Sequence, residues 1–575
     1  MSQPNDPWLT VLILAGGSLN NKQIGPIPSL NDNPADLADG SGLARGRIHQ
    51  HFQPLDGVRL CLLSDRSGKP HRPHLCDDSL KTLLIDPQTN VIASVKEALP
   101  HITTPWLLLQ PITSLPTLIP QPRCTIELGE QPIPRENWSA IADLETSKPR
   151  FLSRDQRTKI DEGLSHPFTG VICAPSHLFQ ASLPEQGSDL LLLAEQIWQT
   201  GQAHFRLSPW RDLGHRATYH CSRVSRLNSR SFNQIRYDKQ SDTIHKCSND
   251  KQRLQQEYDY LQTLPSRLKR HFPTLVSDDI NDIGQKQCCL ELEYIPYPNL
   301  AELFLHWKVG DNGWRLISQR LANIRQSLLN SDSPTPAPSH VSTSWLYSKK
   351  LQQRLALVNK NPPALEPKLE LSWQNFWGNP LQLQLLSPDG SVSTKTHHLP
   401  SPEAISKALL QALPQLEHPQ QLLRVHGDFC FNNILVEPLT GSIRLIDPRG
   451  EPAPASAWPT GFGDPRYDLV KLLHSSRYLY DVICNSLFHL DYQSSTIQLQ
   501  LNVPEHYACV NRAISEDIIK GELTPEEERL LTASLFLSML PLHRQEPLHC
   551  VAFSCIGVLI HEKRFDDVLQ AARRN

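Results

Sequence analysis

The chain has 575 residues, too many for one core, so two or three domains are expected. Lys plus Arg number 56 against 59 Asp plus Glu, a formal charge of -3 that excludes a global field drawing the chain to nucleic acid or acidic lipid. The 13 cysteines are scattered with no Cys-x-x-Cys, the start lacks a signal-peptide pattern, and apolar runs such as Val551–Ile560 are too short for a bilayer; no disulfide framework, no zinc site, no membrane span and a cytoplasmic location are expected.

In chain order, Trp8-Leu-Thr-Val-Leu-Ile-Leu-Ala-Gly-Gly17 is a β-rich apolar run ending in Gly16 and Gly17, the way α/β folds bring backbone amides close to phosphate. Further apolar runs at Val58–Leu63, Thr82–Ile85, Trp106–Leu109 and Gly170–Cys173 are separated by segments long enough for crossover helices, which predicts a mixed or parallel sheet. His49 and His51, and His71 and His74, have no Cys or carboxylate partner at metal-site spacing and are read as ordinary surface or capping histidines.

Leu14-Ala-Gly-Gly17, Phe168-Thr-Gly-Val-Ile172 and Trp210-Arg-Asp-Leu-Gly214 resemble, in that order, three landmarks of the sugar-phosphate nucleotidyltransferase family. The resemblance implies a Rossmann-like α/β domain over 1–216, with Asp212 at the second metal position. The chain departs from the pattern elsewhere. Ser18–Lys22 and Ile27–Leu30 lack the family's catalytic Arg and its Pro-Lys, and Gln110 stands where the first metal Asp belongs, so the domain is expected to be degenerate.

After a connecting helix expected from Gly214, Ser231–Tyr237 and Thr243–Cys247 flank a polar turn and predict a hairpin, with Lys246 near a strand end where it can reach nucleotide phosphates. Ser248-Asn-Asp250 can cap a helix through Leu254, Glu257 and Leu261 that stops near Pro265. Cys288–Pro298 reads as a strand ended by prolines. Trp314–Leu329 has the three-and-four apolar spacing of an amphipathic helix, and Ser333–Ser339 reads as a proline-rich exposed linker. Helices are expected near Tyr347–Val358 and Glu403–Leu413, and 360–400 carries no clear pattern.

Short buried strands on either side of Arg424-Val-His-Gly-Asp-Phe-Cys-Phe-Asn-Asn-Ile-Leu435 place His426, Asp428 and Asn433 in a polar turn, and a further strand, Ile443–Ile446, delivers Asp447. Phosphoryl transfer needs one carboxylate for the attacking hydroxyl and further oxygen ligands for Mg²⁺. His-Gly-Asp, four residues, Asn-Ile-Leu, then Ile-Asp resembles the catalytic and metal loops of the aminoglycoside phosphotransferase and choline kinase family, relatives of protein kinases.

That resemblance implies an α+β bilobal kinase-like domain, with a small lobe over 217–298 and a large lobe over 299–575. It makes Asp428 the base, Asn433 and Asp447 the metal ligands, and Asp468 the brace of the catalytic loop. It also implies that Lys246, paired with Glu257, grips ATP, and that the backbone of Glu293 to Ile295 meets the adenine edge. Arg449 could touch phosphate. Thr524-Pro-Glu-Glu527 is a capping box opening an apolar helix, and the C-terminal third is expected to be helical.

The cofactors implied are ATP and Mg²⁺, and the partner a small molecule bearing a hydroxyl: a sugar, polyol or aminoalcohol, as in surface or capsular polysaccharide precursor synthesis. A nucleotide-binding scaffold without catalysis and an active nucleotidyltransferase remain as alternatives, and no pattern in the sequence encodes the oligomeric state.

Overall fold

The computed structural model describes residues 6–15, 37, 43–65, 80–86, 88, 90–131, 139–144, 146, 148–153, 165–184, 189–214, 233–238, 240–277, 280–282, 288–307, 309–331, 335–336, 343–365, 371–387, 392–419, 421–437, 440–449, 461–493 and 495–572. They divide into two compact units, Met1–Arg226 and Leu227–Asn575.

The first unit is α/β. Strands β1 (Leu9–Leu14), β2 (Val58–Asp65), β3 (Lys81–Ile85), β4 (Trp106–Pro111), β5 (Thr125–Gly129), β6 (His166–Pro175) and β7 (His204–Ser208) lie in the order β7-β5-β6-β4-β1-β2-β3. β1 pairs in parallel with β2 and β4, while β6 runs antiparallel to β4 and β5, so the sheet is mixed. β1 is buried along its whole length, which is why its sequence is continuously apolar and not alternating. Helices α1 (Val91–Ala98) and α2 (Leu190–Gln199) start at Asn90 and Asp189, whose side chains accept the Ala93 and Leu191 amides, and their apolar faces join one core with the sheet. The connecting helix expected after Gly214 lies outside the described residues.

The second unit is α+β. Its N-terminal part is an antiparallel sheet of β8 (Asn233–Asp238), β9 (Thr243–Ser248) and β10 (Cys288–Glu293), with the two-residue strand Asn281–Asp282 at its far edge. Helix α3 (Lys251–Thr263) follows β9, capped by Asp250, whose carboxylate accepts the Arg253 amide at 3.1 Å. The larger part contains α4 (Asp311–Leu329), α5 (Ser348–Lys360), α6 (Pro402–Ala412), α7 (Pro465–Ser476), α8 (Pro525–Ser538) and α9 (Pro547–His561). α9 is apolar nearly all round because it is buried nearly all round. Among the described residues no helix is long and apolar enough to cross a membrane.

Three expectations are corrected. The C-terminal third is not all helical: β11 (Leu381–Leu386), β12 (Val392–Leu399), β16 (Phe488–Gln493) and β17 (Thr496–Leu501) form a sheet in the order β12-β11-β17-β16, where β13 (Gln421–Arg424), β14 (Ile434–Val436) and β15 (Ile443–Leu445) flank the polar turn described below. The Leu-Gln-Leu-Gln-Leu alternation of β11, and its echo in β17, is a period of two that puts Leu383, Leu385, Leu499 and Leu501 in the core. Within the expected linker, Thr335–Pro336 pairs with Gln421 and Leu422. Cys247 and Cys289 oppose each other in the β9–β10 register and are joined as a disulfide, a pairing that depends on register between strands distant in sequence.

The capping box forms as expected: Thr524 Oγ1 accepts the Glu527 amide at 3.2 Å and Glu527 Oε2 accepts the Thr524 amide at 2.9 Å. Thr524→Ala leaves that N-terminal amide without its side-chain acceptor and should cost about 1 kcal/mol, read as a lower denaturation midpoint at unchanged slope.

Candidate functional site: a polar turn crossed by alternating charges

β13 (Gln421–Arg424) leads into the turn that carries His426 and Asp428, a 3₁₀ turn at Phe431–Asn433 follows, and β14 (Ile434–Val436) pairs with β15 (Ile443–Leu445). The turn is held by its backbone. Asp468, in the first turn of α7, accepts the amides of His426 and Gly427, each at 2.8 Å, while Tyr260 of α3 donates its hydroxyl to the Val425 carbonyl at 2.9 Å. Burial pushes the Asp468 carboxyl up to about 6 despite those two amides, and burial pushes His426 down to about 4, leaving a neutral imidazole in the core of the turn.

Gly427 has φ +79, and a Cβ there would stand 2.7 Å from the Arg449 Cβ. The glycine therefore lets the turn lie directly against the segment after β15, where the Arg449 amide donates to the His426 carbonyl at 2.8 Å.

Onto this frame the fold brings six charged side chains of alternating sign. Glu257 on α3 accepts from Lys246 on β9, and the same ammonium reaches Asp447 Oδ1 at 2.6 Å. Asp447 Oδ2 accepts from Arg449 Nη2 at 2.9 Å, and that nitrogen also lies 3.3 Å from Asp428 Oδ2. Asp428 Oδ1 meets Lys471 Nζ at 2.8 Å. Burial alone would raise Asp447, but Arg449 and Lys246 outweigh it and hold the carboxyl well below the usual carboxylate range. Burial would likewise lower Lys246, and Asp447 with Glu257 reverses that, so the ammonium stays charged. Asp447 sits at φ 55, a left-handed conformation that Asp tolerates better than most residues.

One cation, Arg449, touches both Asp428 and Asp447, which places these carboxylates within shared reach of a single positive centre. Asn433 is tied to the same spot: its Nδ2 donates to the Asp428 carbonyl at 2.9 Å, and its own carbonyl accepts the Ile446 amide at 3.0 Å. With the amide nitrogen spent inside the turn, the Asn433 side-chain oxygen is the end left for a ligand. Two carboxylates and an amide oxygen suit a hard divalent cation such as Mg²⁺.

The expected hinge is different in detail. The Glu293 amide donates to the Thr274 carbonyl at 2.9 Å, and its carboxylate pairs with Arg444 at 2.7 Å while accepting the Thr274 amide and hydroxyl, each at 2.9 Å. Glu293 thus ties β10 to β15. Ile295 is buried, and among the described residues no main-chain hydrogen bond engages its amide.

In the first unit, Gly16 and Gly17 lie outside the described residues, as do His71 and His74. The other landmarks meet around Ser114. Its hydroxyl donates to the Thr169 carbonyl at 2.7 Å and accepts from Trp210 Nε1 at 2.8 Å, and Ser114 pairs with Asp212 across a two-residue ladder. Asp212 is buried and accepts the Gly214 amide at 3.0 Å. Gln110, also buried, donates its amide to the Ser114 carbonyl. Gly170, at φ +79, lets β6 approach Pro111 where a Cβ would stand 2.6 Å from the ring. His49 is buried within the helix Ala44–Phe52, and His51 bonds the Leu118 carbonyl at 3.1 Å.

Sequence reasoning missed Lys471 and Arg444. Lys471 lies three residues after Asp468 on α7, a spacing that puts both on one helix face, so the signal was present in Asp468-Leu-Val-Lys471. Arg444 carries no such signal, because its partner Glu293 comes from another part of the unit.

No protein-family model and no curated protein matches the chain. Among solved structures, the N-terminal part is similar to a glucose-1-phosphate thymidylyltransferase from Bacillus anthracis in complex with sucrose, with 10% identity over 38% of this chain and 97% of that one and a TM-score of 0.27. Another stretch is similar to the GDP complex of an aminoglycoside 2'-phosphotransferase, with 13% identity over 60% of this chain and 92% of that one and a TM-score of 0.34. A glucosamine kinase in complex with glucosamine, ADP and inorganic phosphate shows 11% identity over 59% of this chain and 81% of that one, with a TM-score of 0.32. The first unit is α/β with a mixed sheet and the second is α+β, the two classes expected of them.

Asp468→Asn should leave the His426 or Gly427 amide facing an NH₂ group, a buried mismatch of about 1–3 kcal/mol. Chemical denaturation should report that loss. Unchanged stability would show that the brace is not needed.

Proposed function

We propose that 217–298 and 299–575 form the small and large lobes of an ATP-dependent kinase that moves the γ-phosphoryl group to a hydroxyl of a small molecule. The observation that supports this most is the run Glu257, Lys246, Asp447, Arg449, Asp428, which brings nucleotide-gripping, metal-holding and hydroxyl-orienting groups from four separate segments to one place.

Asp428 accepts the hydrogen of the acceptor hydroxyl and aims its oxygen at the phosphorus; the turn pinned by Asp468 sets its direction. Asn433 and Asp447 would hold Mg²⁺, which, when bound, supplies charge neutralisation for the phosphates. Lys246, positioned by Glu257, contacts phosphate oxygens, and Arg449 is placed between the two carboxylates to serve the same end. The Ile295 amide is the candidate donor to the adenine edge. Glu293 contributes by fixing that strand to β15 through Arg444, so its role is positioning.

The first unit is inferred to bind ligand or to serve structurally without transferring a nucleotidyl group. Gln110, a neutral amide, stands where the resembled family places a metal carboxylate, and it donates to the Ser114 carbonyl. A sugar, polyol or aminoalcohol acceptor and a place in surface polysaccharide precursor synthesis are carried only by analogy between folds.

Incubation with labelled ATP and a panel of sugars, polyols and aminoalcohols should yield a phosphorylated product. Asp428→Asn and Asp447→Asn should each lower turnover by about 10²–10⁴-fold, with Asp447→Asn also weakening Mg-nucleotide binding in calorimetry. Full turnover in Asp428→Asn would reject the assignment. Pyrophosphate release from a nucleoside triphosphate and a sugar 1-phosphate, lost in Asp212→Ala but not in Asp428→Asn, would instead mark the first unit as the enzyme.

A further inference from the structure

Beside Asp428 lies a second cluster of positive charge that nothing in the phosphoryl-transfer scheme uses. Lys350, on α5, is only partly buried, and its ammonium donates to the Tyr467 hydroxyl at 2.5 Å. Tyr467 is buried in the first turn of α7, and Lys471 stands four residues on, so both side chains share a helix face. Lys471 in turn touches Asp428 at 2.8 Å. Tyr467, which meets Lys350, therefore shares its helix face with Lys471, which meets the hydroxyl-orienting carboxylate.

Lys350 lacks the carboxylate partner that Lys246, Arg449, Lys471 and Arg466 have. Lys246, Arg449 and Lys471 each meet a carboxylate, and Arg466 is taken up by Asp464 and Glu527 at 2.7 Å each. Among the described residues no carboxylate lies within ion-pair distance of Lys350; its partner is a neutral phenol, and its charged neighbours Lys471 and Arg354 repel it. Burial first, then those two cations, push its pKa down. Tyr467 is also shifted down, since Lys350 and Lys471 outweigh its burial. A partly desolvated ammonium without a counter-ion is costly, and an incoming anion would remove that cost.

We propose that the small molecule bound next to Asp428 carries an anionic oxygen group, a phosphate monoester or a carboxylate, which Lys350 and the Tyr467 hydroxyl hold while its free hydroxyl lies at Asp428. The inference deepens the kinase reading, on which the word acceptor rests, and it narrows the acceptor class. An aminoalcohol, whose ammonium would face Lys350, is disfavoured, and an acidic or already phosphorylated sugar or polyol is favoured. If the acceptor is a phosphate ester, a preceding reaction must supply a monophosphorylated polyhydroxyl compound, and the product carries two phosphoryl groups.

The test is calorimetric titration of glucose, glucose 6-phosphate and glucuronate into the full chain saturated with Mg-ADP, which keeps the probes from the nucleotide phosphate site. At least one charged sugar should bind about tenfold or more tighter than glucose, and comparison of the two tells phosphate from carboxylate. Lys350→Gln should erase the difference, while Lys350→Arg should keep most of it. Tyr467→Phe, which retains the ring, should reduce it and serves as the second variant if Lys350→Gln melts early. Equal or weaker binding of both anions, or a preference that survives Lys350→Gln, overturns the proposal. Because binding is read without turnover, a preference for anions with no phosphorylated product would reject the kinase reading alone, and turnover limited to neutral or cationic acceptors would reject this inference alone.

Discussion

Alternation of charge sign holds the proposed catalytic centre together. From Glu257 through Lys246, Asp447, Arg449 and Asp428 to Lys471, each mostly buried group has an opposite charge on at least one side, and three negative groups balance three positive ones. Removing Lys246 strips Glu257 of its opposite charge, and removing Asp428 strips Lys471 of its own, in a poorly solvated place where such a loss costs about 3–5 kcal/mol. The series spans β9, α3, the turn after β13, the segment after β15, and α7. It thus fixes the N-terminal sheet of the second unit against its helical part as well as arranging the site.

The series can form only because the backbone beneath it is set first. Asp468 pins two successive amides of the turn, Gly427 permits an approach that a side chain would block, and the Arg449 amide closes the contact from the other side. The local conformations at Gly427 and Asp447 both have positive φ, and their cost is borne by this surrounding network. The first unit offers the contrasting case. Its landmarks also converge on a polar spot, around Ser114, yet Gln110 there is neutral and contributes no charge to balance a divalent cation.

Lys350 breaks the rule that the rest of the site obeys. Lys246, Arg449, Lys471 and Arg466 each meet a carboxylate, whereas Lys350 is left with a phenol for a partner. An unbalanced cation beside the proposed hydroxyl-orienting carboxylate has its natural explanation in the charge of what binds there.

Much was legible in the residues alone. The continuous apolar runs announced β1, β2 and β4, Asp250 and Thr524 marked helix starts, and the spacing of His426, Asp428, Asn433, Asp447 and Asp468 singled out one turn, because each of these signals is local and survives in a linear string. The alternating leucines of β11 and β17 were equally local and were passed over. Other features were decided only by the folded chain. The Cys247–Cys289 pairing needs strand register, the Glu293–Arg444 pair needs two elements 151 residues apart, and Lys350 facing Tyr467 needs two helices 117 residues apart. Long-range pairing of charges depends on where backbones cross, and no window of sequence contains that information.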